Sequence, residues 1–149
     1  MLLSLLLACG MCRVEQSEIN GWYTLTQESN EGTCGDFTRA NLDDFRIEDG
    51  KPIIFEEAYD PWCDKGSSTW NSEECSNTYN WSCDMGEPFG FPNQVHLSQS
   101  WVVTTGPRDT DLITVELYML SVLGDGTVEC EGNYVFTGVK HGAEAHDHD

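Results

Sequence analysis

An all-β domain, a small antiparallel meander closing into a barrel or folding into a sandwich, is the fold class that this sequence predicts, and three observations predict it. Gly, Asn, Ser, Thr and aromatic residues are plentiful while Ala and Lys are scarce, a balance that disfavours long helices and suits short strands. Several segments alternate apolar and polar residues with the period of two that a half-buried strand requires. Turn-forming pairs, Asp49-Gly50 and Asp125-Gly126, stand between such segments at hairpin spacing. A chain of 149 residues buries roughly 70% of its unfolded surface when it folds as one domain. It therefore has a core of its own, and disulfides would reinforce that core without replacing it.

The first element is not part of that domain. Leu2 to Ala8 form an apolar run too brief to span a bilayer, and residues 1–8 read as a signal peptide. Leu6-Leu7-Ala8-Cys9 resembles the lipobox of bacterial lipoproteins, in which the Cys thiol takes a diacylglycerol before the leader is cleaved. The resemblance implies a lipid anchor on Cys9 and the membrane as a partner. Gly10, directly after the acylated residue, is by the family's rule no inner-membrane retention signal. The expected location is thus extracytoplasmic, at the outer membrane of a Gram-negative bacterium. No Lys or Arg precedes the apolar run, so a start upstream of Met1 is expected. Cys9 and Cys12 also spell C-x-x-C, but Arg13 follows where haem attachment needs His, and no strand-helix context supports a redox pair.

Residues 9–20 are expected to be a lipidated tether, with the polar Arg13 to Asn20 as a spacer. The β domain follows over residues 21–140. Gly21-Trp22-Tyr23-Thr24-Leu25-Thr26 opens it as a strand, and Asn30 to Asp36 forms a loop containing Cys34. Asp49-Gly50 then turns a hairpin whose register pairs Glu48 with Lys51, Ile47 with Pro52 and Phe45 with Ile54, giving a charge-matched end and an apolar face. Residues 59–91 are expected to be a Cys- and Trp-rich insertion, with Trp62, Trp70, Tyr79 and Trp81 set among Ser and Asn residues.

Beyond the insertion, Val95, Leu97, Trp101 and Val103 fall at strand spacing before the Gly106-Pro107 turn. The last hairpin joins Leu112 to Leu123 with Thr127 to Val139. Taking Asp125-Gly126 as its turn pairs Leu123 with Val128, Ser121 with Cys130, Met119 with Gly132, Leu117 with Tyr134 and Val115 with Phe136, all on one face. Thr114, Glu116 and Tyr118 face Thr137, Val135 and Asn133 on the other, more polar face. At least six strands in hairpin order favour closure, which removes exposed edges. The opening Gly21-Trp22-Tyr23 strand and the long final hairpin resemble lipocalin-like lipoprotein domains, with Tyr23 in the place of the family's Trp, and imply a lipocalin-like barrel.

Assigning Cys9 to lipid leaves Cys12, Cys34, Cys63, Cys75, Cys83 and Cys130, which can pair completely. Zinc competes for Cys34, Cys63, Cys75 and Cys83, but their spacings are long and irregular and contain no C-x-x-C knuckle. Disulfides formed in an oxidising compartment are expected, with fifteen possible connectivities. By parity Cys130 points inward, where an unpaired thiol would be inert and a disulfide would staple the last hairpin to an earlier segment.

The formal charge is −19, from 26 acidic and 7 basic residues, and no basic patch is available to release counterions from a polyanion. No nucleic-acid partner is expected. No hydrolase elbow, metalloprotease helix, phosphate loop or dinucleotide fingerprint is present, so the chain is not expected to be an enzyme and no catalytic residue or cofactor is assigned. Glu56-Glu57 are strand neighbours pointing to opposite faces, and His96 lies opposite Val95, Leu97 and Trp101. His141, His146 and His148 stand among carboxylates in a tail over residues 141–149, where weak metal binding competes with simple fraying.

The function expected from all this is a non-enzymatic binding module for a small ligand, a glycan or a protein. Its site would be the barrel mouth or the aromatic residues Trp62, Trp70, Tyr79 and Trp81. The alternative is a structural or adhesive envelope protein without a pocket, followed by a hydrolase lacking a motif. A deep cavity lined by Trp22, Trp101 or the insertion aromatics would favour the binding module.

Overall fold

A computed structural model describes residues 11–37, 42–53, 63–85 and 95–142. Eight strands follow a short 3-10 helix, Gln16–Ile19. They are β1 (Gly21–Gly32), β2 (Phe45–Glu48), β3 (Lys51–Ile53), β4 (Cys63–Asn71), β5 (Ser76–Met85), β6 (Val95–Thr105), β7 (Leu112–Leu123) and β8 (Val128–Gly142). The hydrogen-bonded order is β3-β2-β1-β8-β7-β6-β5-β4, with every neighbour antiparallel. Because β1 and β8 pair, chain order runs around the sheet as a meander, and the result is a nearly closed barrel in which, among the described residues, no ladder joins β3 to β4. The barrel, and not the sandwich, is the architecture.

Interior side chains stack in rows that cross the strands. Tyr79, Trp101, Leu117 and Tyr134 form one row, and Asn77, Val103, Val115 and Phe136 form the row below it. All eight are buried, with Trp101, Val103, Val115, Leu117, Tyr134 and Phe136 at most 1% exposed. Phe45 stacks on Trp101 with ring centroids 5.9 Å apart. Alternation sets this up: Thr114, Glu116, Thr137 and Asn133 are exposed on the outer face between the buried positions of β7 and β8.

The two ends of the barrel differ. At the base, the 3-10 helix seals the opening, with Ile19 fully buried and Val14 nearly so. The Tyr23 hydroxyl donates to the Ile19 carbonyl (2.8 Å), and Lys140 Nζ sits 5.7 Å from the Tyr23 ring while donating to the Glu18 carbonyl (2.8 Å). The interrupted seam is closed there by side chains. Gln16 Nε2 donates to Ser68 Oγ (2.9 Å) and Asn77 Oδ1 (2.8 Å), and Asn77 Nδ2 donates to the Gly50 carbonyl. This explains why a fully buried residue of β5 is an asparagine: it supplies hydrogen bonds where the ladder has none.

The Asp49-Gly50 hairpin has the expected register, with Ile47 opposite Pro52 and Glu48 opposite Lys51. Phe45 was expected to face Ile54, which lies outside the described residues. The final hairpin matches from Ser121-Cys130 through Val115-Phe136 but differs at its tip, where Val122 pairs with Val128. Leu123 N–H donates to the Thr127 carbonyl and Gly126 N–H to the Leu123 carbonyl, both at 2.8 Å, with Gly126 at φ +86°. The loop is therefore three residues long, Gly124-Asp125-Gly126, with a glycine in the left-handed position. The one-residue difference is absorbed as an irregularity between Ser121 and Val122.

Two segments differ more. The polar spacer expected before residue 21 belongs to the fold, because Cys12 is bonded to Cys75, Arg13 N–H donates to the Pro107 carbonyl (2.8 Å), and Ile19 fills the base. The expected insertion over 59–91 contributes a barrel hairpin instead, β4 and β5, joined through residues 72–75. Ser and Asn at its outward positions, such as Ser67, Asn80 and Ser82, hide the strand alternation behind a loop-like composition.

Candidate functional site

Burial of the interior relaxes toward the mouth, the end formed by the close of β1, β5 and β7 and the start of β6 and β8. The row Trp81, Gln99, Met119, Gly132 lies there, followed by Cys83, Leu97, Ser121, Cys130. Trp81, Leu97 and Met119 are half-buried, in contrast to the fully buried rows below them. Their strands place them by parity: each is an inward position two or four residues from Trp101, Tyr79 or Leu117.

One polar group is built into this apolar ring. Gln99 is 3% exposed. Its Oε1 accepts from Trp101 Nε1 (2.9 Å), and its Nε2 donates to the thioether of Met119 (3.3 Å). A thioether is a weak acceptor, so the amide nitrogen keeps donor capacity at the level of Trp81. Such a combination of aromatic and aliphatic surface with an oriented amide is what fixes the pose of a small organic molecule.

Residues 33–37 leave β1 and fold against the mouth end of β8 as a strap. The Cys34–Cys130 disulfide ties the strap to β8, and Thr33 N–H donates to the Glu131 carbonyl (2.8 Å). The Tyr134 hydroxyl donates to the Gly35 carbonyl (2.7 Å), and Phe37 meets Tyr134 and Phe136 edge-on at 5.0 and 5.5 Å. Gly132 permits this: a Cβ there would lie 2.8 Å from the Tyr134 ring. Asp36 Oδ1 accepts from Gln27 Nε2 (2.9 Å) and Asn30 Nδ2 (2.7 Å). Those hydrogen bonds, the Asn30 one foremost, hold the Asp36 carboxyl below the usual carboxylate range. Burial, with the Asp36 charge second, pushes the Tyr134 phenol up.

The residues expected from sequence are dispersed. Tyr79 is buried in the Trp101 row, Trp70 lies nearer the base opposite Asn77, and of the described aromatics of the hairpin only Trp81 reaches the mouth. Trp62 lies outside the described residues. Trp22 is on the outer face, with the Arg46 guanidinium 5.3 Å from its ring, and Trp101 is in the core. Cys83 is disulfide-bonded, and Cys63 stands opposite it in the β4–β5 register. The Cys12–Cys75 and Cys34–Cys130 disulfides remove Cys34 and Cys75 from the competing zinc set.

His141 lies on β8, exposed, with Nε2 3.3 Å from the Asp43 carbonyl oxygen, while Cys9, His146 and His148 lie outside the described residues. Among the described residues no group of three or more His, Cys, Asp or Glu side chains is placed to hold a metal ion. His96 is exposed as expected, 2.6 Å from Asp84 Oδ1. Sequence reasoning passed over Gln99, Met119 and Phe37. The parity that marks Leu97 and Trp101 as inward places Gln99 between them, and a polar residue in that slot was the available signal. Comparison with known protein families, curated proteins and solved structures finds no match.

Proposed function

We propose that this chain is a lipid-anchored extracytoplasmic binding module, acylated at Cys9 and non-enzymatic, that takes a small, largely apolar ligand at the mouth of its barrel. The observation that carries the reading is the half-buried ring of Trp81, Leu97 and Met119 around the buried amide of Gln99, set above a filled core. The Cys12–Cys75 and Cys34–Cys130 disulfides, with Cys83 also disulfide-bonded, fit an oxidising compartment outside the cytoplasm. The lipobox resemblance at Leu6-Leu7-Ala8-Cys9 supplies the anchor and supports an outer-membrane location, and the meander order supports a lipocalin-like relationship of form.

The charge of the chain selects the probe for a test. An anionic dye would be repelled by a net charge of −19, so the neutral N-phenyl-1-naphthylamine is the better reporter. The expected result is saturable fluorescence enhancement that weakens about tenfold in Trp81→Ala, equivalent to roughly 1.4 kcal/mol, with the variant's cooperative unfolding retained. No saturable binding, or binding equal in the wild type and Trp81→Ala, would instead favour a structural envelope protein with no ligand.

A further inference from the structure

We infer that the base of the barrel is the surface that faces the bilayer, seated against a zwitterionic phospholipid headgroup layer with the strapped mouth directed away from it. The inference rests on the lipid anchor proposed at Cys9 and adds to it an orientation. Two residues, Gly10 and Met11, lie between Cys9 and Cys12, and a fully extended chain advances at most 3.3–3.6 Å per residue, so over three steps the two Cα atoms lie within roughly 11 Å of each other. Cys12 is not on a free tether. Its disulfide to Cys75 fixes it to the turn between β4 and β5, and the next residue is bonded through its backbone to Pro107 in the turn between β6 and β7. Both turns lie at the base. An acylated Cys9 thus holds these turns at the membrane surface and leaves the barrel no length of chain with which to invert.

The side chains at that end fit the assignment. Met11 is 83% exposed, and Leu112 and Val139, 64% and 55% exposed, stand opposite each other in the β7–β8 register near the base. Exposed Glu73, Glu74, Asp109 and Asp111 share this end with exposed Arg13 and Arg108, a surface of mixed sign in which the acids outnumber the bases, and the headgroups that suit it are zwitterionic. Val128 supplies a control, being 54% exposed at the far end of the molecule beside the β7–β8 turn.

The test uses the full chain processed in a bacterial host and reconstituted into phosphatidylcholine vesicles that carry a headgroup-proximal nitroxide lipid. A dansyl side chain is introduced at Leu112, at Val139 or at Val128, and intact mass establishes acylation of each product. The expected result is quenching several-fold stronger at 112 and 139 than at 128. Equal quenching at all three positions, or stronger quenching at 128, in an acylated product overturns the orientation and leaves the anchor standing. A product without an acyl group overturns the anchor, and the orientation with it.

Discussion

The phenol of Tyr23 sits in the base of the barrel with no exposed surface, yet its O–H is satisfied by the Ile19 carbonyl. Tyr23→Phe keeps the packing and strands that carbonyl, so a loss of about 1–2 kcal/mol is expected in urea denaturation. Burial first, and the Asp111 charge second, push the phenol's pKa well above its ordinary value. The neutral form is favoured in the fold, so this contribution is complete below the unfolded value near 10 and is lost as pH rises toward the folded one. Tyr23→Phe should therefore flatten the alkaline limb of the stability profile; an unchanged limb would mean that another group governs it. Asp36 has the opposite sign. Its folded pKa is depressed by Asn30 and Gln27, so its hold on the strap is complete above the unfolded value of about 3.9 and fades as pH falls through the folded value. Amide exchange in residues 33–37 should accelerate in that acid window in the wild type, and Asp36→Asn should remove the pH dependence. Retention of the same acid dependence in the variant would place its cause elsewhere.

At the scale of elements, legibility in the sequence followed the clarity of alternation. β7 and β8 could be read to the individual pair because Val115, Leu117, Tyr134 and Phe136 alternate with Thr114, Glu116, Thr137 and Asn133. The error at their tip came from turn chemistry: Asp-Gly suits a two-residue loop, but Gly124 before it allows the three-residue form with Gly126 left-handed. β4 and β5 were illegible for a different reason. A bulge between Asp64 and Ser67 breaks the period, and Ser and Asn occupy the outward positions. Gly66 in that bulge has φ +57°, and a Cβ on it would fall 1.6 Å from the Asn80 carbonyl oxygen, whereas Gly126 faces open space. Gly126→Ala should cost only the left-handed penalty of roughly 1–2 kcal/mol. Gly66→Ala should cost distinctly more in the same denaturation series, because the backbone of β5 must move as well. Equal costs would show that the bulge relaxes without resistance from β5.

The whole molecule explains why the site was harder to read than the fold. Its mouth is assembled from β5, β6 and β7 and the strap, so Trp81, Gln99 and Met119 become neighbours only through the pairing of three strands. Nothing local distinguishes Gln99 from the outward Ser98 and Ser100 except parity. The strap is likewise a tertiary object, with Cys34 and Cys130 separated by 96 residues. Closure also accounts for the polar seam, because where the described residues of β3 and β4 share no ladder the buried groups are satisfied by Gln16, Ser68 and Asn77. We propose that this disulfide-braced barrel is held by its base to a membrane, and lipid attachment is the premise on which that compartment and that orientation depend. The most direct test is the intact mass of the membrane-extracted protein, expressed with its own leader in a bacterial host, before and after reduction. The account predicts a mature chain that begins at acylated Cys9 and gains a pair of hydrogens for each disulfide among Cys12, Cys34, Cys63, Cys75, Cys83 and Cys130. An unprocessed chain without lipid, whose mass does not change on reduction, would contradict it.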